Sequence, residues 1–252
     1  MQKATPPQVL CILLGASNLS RAHSGLVKNL EHNLHPRSVR FLSALGSGRG
    51  YSVEGGLLNI AYPPIKNCGL FAAAREIAVN RVVALVTDVG NDIMYGVPVE
   101  KIIADLKELF EKLHDLDADI LVTPLPHRLE EGIGDFYYRC LRGISYPACR
   151  VEQGTAIAAV REINRFLHAL APDRIKLITS LNAYYGIDMI HFSHRKMHPA
   201  WTEVAGEILR TLNVEPTAKL GYFEMIYSVG VHMLRLTLSE IFPIRKKGPD
   251  LF

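Results

Sequence analysis

Five short apolar runs alternating with amphipathic segments predict an α/β fold, with a parallel sheet between layers of helices. Three observations carry that expectation. The runs are near-continuously apolar, as strands covered on both faces are, rather than alternating with polar residues. The segments between them space their apolar residues at helical intervals. Finally, 252 residues with 48% apolar and 21% charged side chains suffice to bury roughly 70–75% of the unfolded surface, enough for a full core without staples.

The first run, residues 9–14 (VLCILL), ends in Gly15-Ala16-Ser17-Asn18, and a helical pattern follows at 26–34. The second, 39–45, opens onto an irregular stretch, 46–67, containing GSGRGYSVEGG and AYPPIKN. A helical pattern at 70–79 leads to the third run, 82–87. Beyond it, 99–113 sets Ile102, Leu106, Leu109 and Phe110 on one face and Lys107, Glu108, Glu111 and Lys112 largely on the other. The fourth run, 120–123, gives way to a second irregular stretch, 124–150, before a helical pattern at 156–170. The fifth, 175–179, precedes GIDMIHFSHRKMHPAW and a helix expected over 199–212. Ligands of parallel sheets bind beyond the carboxyl ends of the strands. Both irregular stretches leave such ends, and long loops in compact domains are usually functional. They are expected to wall a pocket.

Composition narrows the class. The net charge is only +3, and no Lys/Arg run occurs before Arg245-Lys246-Lys247, so nucleic acid is not an expected partner. No uninterrupted apolar stretch reaches the ~18 residues a membrane-spanning helix needs. The opening MQKATPPQ has no apolar h-region, so no secretory signal is read there and a cytoplasmic location is expected. The four cysteines show no CxxC spacing, which fits reduced thiols; Cys140 and Cys149 would pair only in an oxidising compartment. Cys11 reads as a buried strand residue.

Four strand-end motifs carry the chemistry. A strand-to-helix turn at Gly15-Ala16-Ser17-Asn18 can expose a serine hydroxyl above the sheet, with helix N–H groups open to an anion. Ser17 or Asn18 equally suits a helix cap. In Leu45-Gly46-Ser47-Gly48-Arg49-Gly50, glycine lets the backbone point an N–H at a substrate, or serves only as a turn. In Thr87-Asp88-Val89-Gly90-Asn91-Asp92, the Asn91 amide can donate to a developing oxyanion while Asp92 holds the loop; an Asx-type turn also fits. Late in the chain, Asp188 and His191 stand three apart, a spacing at which the carboxylate can accept the histidine Nδ1–H and leave Nε2 to take a proton from a serine.

The order Ser, Gly, Asn, then Asp-x-x-His resembles the SGNH (GDSL-type) hydrolases, over roughly residues 9 to 212. The resemblance implies a flavodoxin-like, three-layer α/β/α fold with a five-stranded parallel sheet, and acyl transfer by serine catalysis on a small-molecule ester or thioester, without cofactor or metal. Carried over by motif, Ser17 is the nucleophile, His191 the general base and Asp188 its orienting partner. The oxyanion hole is then the backbone N–H groups of Ser17 and Gly48 with the Asn91 side-chain amide. An acyltransferase, or a silent binding module, is the alternative on the same fold. The family's first block reads Gly-Asp-Ser, whereas Ala16 stands here in place of the Asp. Gly46 is a second match for the glycine, and His198-Pro199 resembles the family's His-Pro ending but has Arg195, not Asp, three residues earlier.

Other residues invite weaker readings. His194 and His198 lie at i, i+4 without an obvious third ligand for a metal. Arg49 and Arg128 lie on the expected pocket walls, where they would either bind an anionic substrate or be solvated. The chain divides into a hydrolase-like domain, 1–213, and a C-terminal helical extension, 214–252. There, from Tyr222 to Phe242, Glu224, Ser228, His232, Arg235 and Ser239 form a narrow polar stripe. Its wide apolar remainder is expected to pack on the domain, to form a homodimer, or to touch a membrane peripherally with Arg245, Lys246 and Lys247 near anionic headgroups.

Overall fold

The computed structural model describes residues 8–56, 60–170, 174–242 and 252, apart from the side chains of residues 141, 144, 145, 239 and 240. Arg245-Lys246-Lys247 lie outside the described residues. Five strands form, β1 (Val9–Leu14), β2 (Val39–Ala44), β3 (Arg81–Val86), β4 (Ala118–Val122) and β5 (Ile175–Leu177). They make one parallel sheet in the order β2-β1-β3-β4-β5. Helices cover it: α1 (Ser17–Leu34), α2 (Leu70–Arg75), α3 (Asn91–Met94), α4 (Val99–His114), α5 (His127–Glu131), α6 (Asp135–Ser145), α7 (Gln153–His168), α8 (Met197–Thr211) and α9 (Tyr222–Arg235).

The unbroken apolar run of β1 is explained by burial on both faces. Leu10, Ile12 and Leu14 join one core with α2, α4 and α7, while Val9, Cys11 and Leu13 join a second with α1 and α8. Register then sets the site. Leu14 pairs with Ala44 on one side and Val86 on the other. β1, β2 and β3 therefore end level, and their three loops start side by side.

α1 begins at Ser17, at the expected strand-to-helix turn, and its polar first turn, which lies ahead of the apolar spacing at 26–34, is buried and hydrogen-bonded rather than solvated. One stretch departs from the expected pattern. The stretch 124–150 is not irregular: it holds α5 and α6, separated by Gly132, whose φ of +97° ends α5.

α9 packs along α1 with Met225, Ser228 and His232 inward, whereas Glu224 of the polar stripe is exposed. Ser228 is fully buried and its Oγ accepts the Gly25 N–H at 3.1 Å, and His232 is buried as well. Phe223, Ile226, Tyr227, Met233 and Leu234 point outward. α9 packs on the domain, but most of its large apolar side chains face outward: its buried face combines Met225 with Ser228 and His232, and Ser228 meets a backbone N–H of α1. Among the described residues, no helix is long and apolar enough to cross a membrane.

Candidate active site

β1 delivers the chain into the cluster of strand ends. A Cβ on Gly15 would fall 2.6 Å from the Thr87 methyl, so only glycine turns here beside the end of β3. α1 then begins at Ser17, and its first turn contains no acidic residue. Ala16, the residue before it, has no side chain able to cap it.

The carboxylate that serves this helix end comes from the β3 loop. Asp88 Oδ2 accepts the backbone N–H groups of Ala16 (2.9 Å), Asn18 (3.1 Å) and Leu19 (3.3 Å). Such a charge is favoured at a helix N-terminus. The Ser17 N–H lies between these donors but is not held by Asp88. Asp88 itself sits at φ +60°, a left-handed conformation that Asp tolerates better than most residues. Asn18 is not the helix cap. Its Nδ2 donates to Asp88 Oδ1 and to the Ile190 carbonyl, both at 2.9 Å, and its Oδ1 accepts the Phe192 N–H at 3.1 Å. The start of α1, the β3 loop and the histidine loop are tied together through Asn18.

That third loop is folded back on itself. Tyr185 and Phe192 form an isolated antiparallel bridge, and the Gly186 N–H donates to the His191 carbonyl at 2.7 Å. Asp188 Oδ1 accepts the N–H groups of Ile190 (3.1 Å) and His191 (2.9 Å), while its Oδ2 faces His191 Nδ1 at 2.7 Å. His191 Nε2 lies 2.8 Å from Ser17 Oγ. A carboxylate only accepts, so Nδ1 carries the proton and Nε2 is the acceptor for the serine hydroxyl. Burial pushes the Asp188 carboxyl up, but hydrogen bonds from the His191 ring and backbone, the His191 charge and the Ile190 N–H outweigh it and hold the group down at about 2.

On the opposite side stands Asn91. Its Nδ2 donates to the Arg49 carbonyl at 2.9 Å, and its Oδ1 accepts the Tyr146 hydroxyl at 2.6 Å. These two bonds fix which way the amide faces, and an amide nitrogen carries two hydrogens. Burial, then the neighbouring Tyr95, pushes the Tyr146 hydroxyl well up, so it stays a neutral donor. Asp92, fully buried, does hold a loop, but its partners belong to the stretch after β2. It accepts the N–H groups of Tyr51 (2.7 Å), Ser52 (3.0 Å) and Val53 (3.1 Å). Gly48 adjoins Arg49 in that stretch. Its φ is +76°, a Cβ would come within 2.7 Å of the Gly56 carbonyl oxygen, and its own carbonyl accepts the Tyr95 hydroxyl. Gly46 is packed against the Tyr62 ring.

A cavity of about 120 Å³ opens beside Ser17 and Asn91 and runs beneath α5, α6 and α7. Its walls include Ile93, Leu125, Leu129, Ile133, Tyr138 and Val160. The stretch 124–150 thus walls this pocket, as expected, whereas no described residue of 46–67 lines it.

The remaining candidates sit elsewhere. Arg49 is neither solvated nor on the pocket wall. It is fully buried, donating to the Pro63 and Leu45 carbonyls and to Phe252 O, because the loop folds over it. Arg128 is exposed on α5. His198 packs edge-on against Tyr222, whereas the serine is met by His191. Cys11 is buried, and burial pushes its thiol up to about 12. All four cysteines are unpaired. Among the described residues, no three His, Cys, Asp or Glu side chains are grouped to hold a metal ion. Reading along the sequence missed Asp88, Tyr95 and Tyr146, whose partners lie on other loops.

The molecule is a three-layer α/β/α protein with a Ser–His–Asp chain at the carboxyl ends of its strands. No family model and no curated relative matches the sequence. It is similar to solved structures that include a member of the lipolytic protein G-D-S-L family from Veillonella parvula, at 14% identity and a TM-score of 0.49 over 80% of this chain and 98% of that one. TesA is similar at 19% identity and a TM-score of 0.48, over 81% of this chain and 99% of that one. A carbohydrate esterase family 3 structure from Talaromyces cellulolyticus follows at 10% identity and 0.48, over 81% and 98%. Likeness at this level assigns no residue a role. The chemistry rests on the distances within this chain.

Proposed function

We propose that the protein is a serine hydrolase that cleaves a carboxylic ester or thioester through an acyl-enzyme on Ser17. The observation that carries this is the continuous hydrogen-bonded chain from Ser17 Oγ through His191 to Asp188, at 2.8 and 2.7 Å. A nucleophile, a base and an orienting carboxylate in that arrangement are what covalent acyl transfer requires.

In the first step Ser17 Oγ attacks the carbonyl carbon while His191 Nε2 takes the hydroxyl proton. Asp188 stabilises the imidazolium that forms. The carbonyl oxygen becomes an oxyanion, received by the N–H groups of Ser17 and Gly48 and the Asn91 amide. Collapse of this intermediate breaks the bond to the leaving alcohol or thiol, which takes the proton from His191, and leaves the acyl group on Ser17. Water, deprotonated by His191, then attacks the acyl carbon, and the carboxylic acid departs with Ser17 restored. Two further features support the assignment. Asp88 ties up the N–H groups flanking Ser17 but not that of Ser17 itself, and Tyr146 fixes the orientation of Asn91.

The test is labelling by a fluorophosphonate probe together with p-nitrophenyl ester turnover. Wild-type protein is expected to show both, and Ser17→Ala neither, with an unchanged circular dichroism spectrum. Turnover retained by Ser17→Ala would refute the assignment.

A further inference from the structure

Resting on that reading, we infer that the cavity beside Ser17 is the acyl site and that it selects short, straight acyl chains of about four to six carbons. The cavity starts at the nucleophile. Ser17 and Asn91 line it together with Val89, Ile93, Leu125 and Val160. An acyl carbon bonded to Ser17 Oγ, with its oxygen toward Asn91, has its alkyl chain directed down this passage. Away from Ser17, Asn18, Asp88 and Asn91 the lining is mostly hydrocarbon, so the guest it accepts is apolar rather than a sugar or a charged headgroup. The basic side chains of the neighbourhood do not change this: Arg49 is buried elsewhere and Arg128 is exposed on α5.

Size decides the length. At about 120 Å³ the cavity is slightly smaller than the ~150 Å³ engineered cavity that takes up benzene, a six-carbon guest. A chain of about four to six carbons fills it, and a longer one must leave it or displace a wall. The inner walls belong to the body of the fold: Leu125 follows β4 and is buried, and Ala156 and Val160 lie on α7, also buried. Tyr138 and Tyr146 close the α6 side. Tyr138 OH donates to the Val151 carbonyl at 2.9 Å and Tyr146 OH to Asn91, so that wall is pinned rather than free to swing out. Interiors packed at this density do not stretch to fit an added chain.

The experiment is a series of straight-chain p-nitrophenyl esters from acetate to dodecanoate, run on wild type, Ala156→Leu and Leu129→Ala. Each methylene buried up to the limit raises kcat/KM about fourfold, so wild type is expected to peak between butanoate and hexanoate and to fall at least tenfold by decanoate. Ala156→Leu fills the passage and shifts the peak to acetate. Leu129→Ala, at a half-buried wall, lengthens the passage and shifts the peak toward octanoate. A wild-type optimum at decanoate or beyond, or one profile shared by all three proteins, overturns the inference. Calorimetric binding of the same esters to Ser17→Ala separates this site from the proposed chemistry. Affinity that rises about fourfold per methylene to hexanoate and then levels supports the acyl site even if wild type turns over no ester. Affinity independent of chain length overturns it even if wild type is an active esterase.

Discussion

At the residue scale, the site turns on a carboxylate that has no neighbour in sequence. Position 16 is alanine, and the charge that steadies the first turn of α1 is supplied by Asp88, reaching across from β3. Asp88 also holds Asn18, which in turn holds the backbone of the histidine loop at Ile190 and Phe192. Loss of this group therefore loosens Ser17 and His191 together. Hydrogen bonds to a charged group are worth ~1.5–3 kcal/mol each before relaxation, and small displacements of reacting groups cost up to ~100-fold. Asp88→Ala is expected to lower kcat about 10- to 100-fold with KM within about twofold, and to lower unfolding stability by about 2 kcal/mol. Steady-state kinetics and urea titration check both. A proportionate rise in KM with kcat intact would instead place Asp88 in substrate binding.

At the scale of elements, α9 is the least ordinary helix. It turns Ser228 and His232 toward α1 and its aromatic and aliphatic side chains outward. Burial, followed by Arg235 and Arg21, pushes His232 down to about 4 from 6.5, and burial, followed by Arg235, does the same to His23 on α1. Both are therefore neutral in the folded protein at pH 7, with Nε2 of His23 and of His232 lying 2.8 and 3.4 Å from the hydroxyls of Ser43 and Ser47. A histidine whose folded value is depressed binds fewer protons than the unfolded chain between the two values. Its contribution is whole above pH 6.5 and is lost as pH falls toward 4, at up to ~1.4 kcal/mol per pH unit for each histidine. Urea midpoints are expected to hold steady from pH 8 to 7 and drop steeply from 6 to 4. In His232→Gln that slope should be roughly halved. An unaltered slope would move the effect to other groups.

For the whole molecule, a sheet covered on both faces makes a specific demand on an interior strand such as β1. Ile12 and Leu13 are adjacent in β1 but belong to opposite cores, and each is about 1% exposed or less. In a sheet with one wet face, only one of such a pair would matter. Here Ile12→Ala and Leu13→Ala are each expected to cost ~2–5 kcal/mol, measured by denaturant unfolding with an unchanged slope. A near-neutral effect of either would mean that one face is not packed as described.

The sequence by itself determined the α/β class, because near-continuous apolar runs such as 9–14 have few solutions other than strands buried on both sides. It also singled out Ser17, Asp188 and His191, which the structure brings into one hydrogen-bonded chain, because Ser17 sits at a strand end and Asp188 and His191 are close enough in the chain to meet locally. Its apolar spacing marked only the later part of α1, and it left 124–150 without helices, since a polar first turn and short, glycine-broken segments give weak periodic signals. Only the tertiary structure decided what Asp88, Tyr95 and Tyr146 do, that Arg49 is interior, and which side of α9 faces the protein. For Asp88, Tyr95 and Tyr146 the partner is far along the chain, on a loop brought near by the level ends of β1, β2 and β3, and for α9 it is the body of α1. Hydrogen bonds made across that distance leave no periodicity for a sequence to carry.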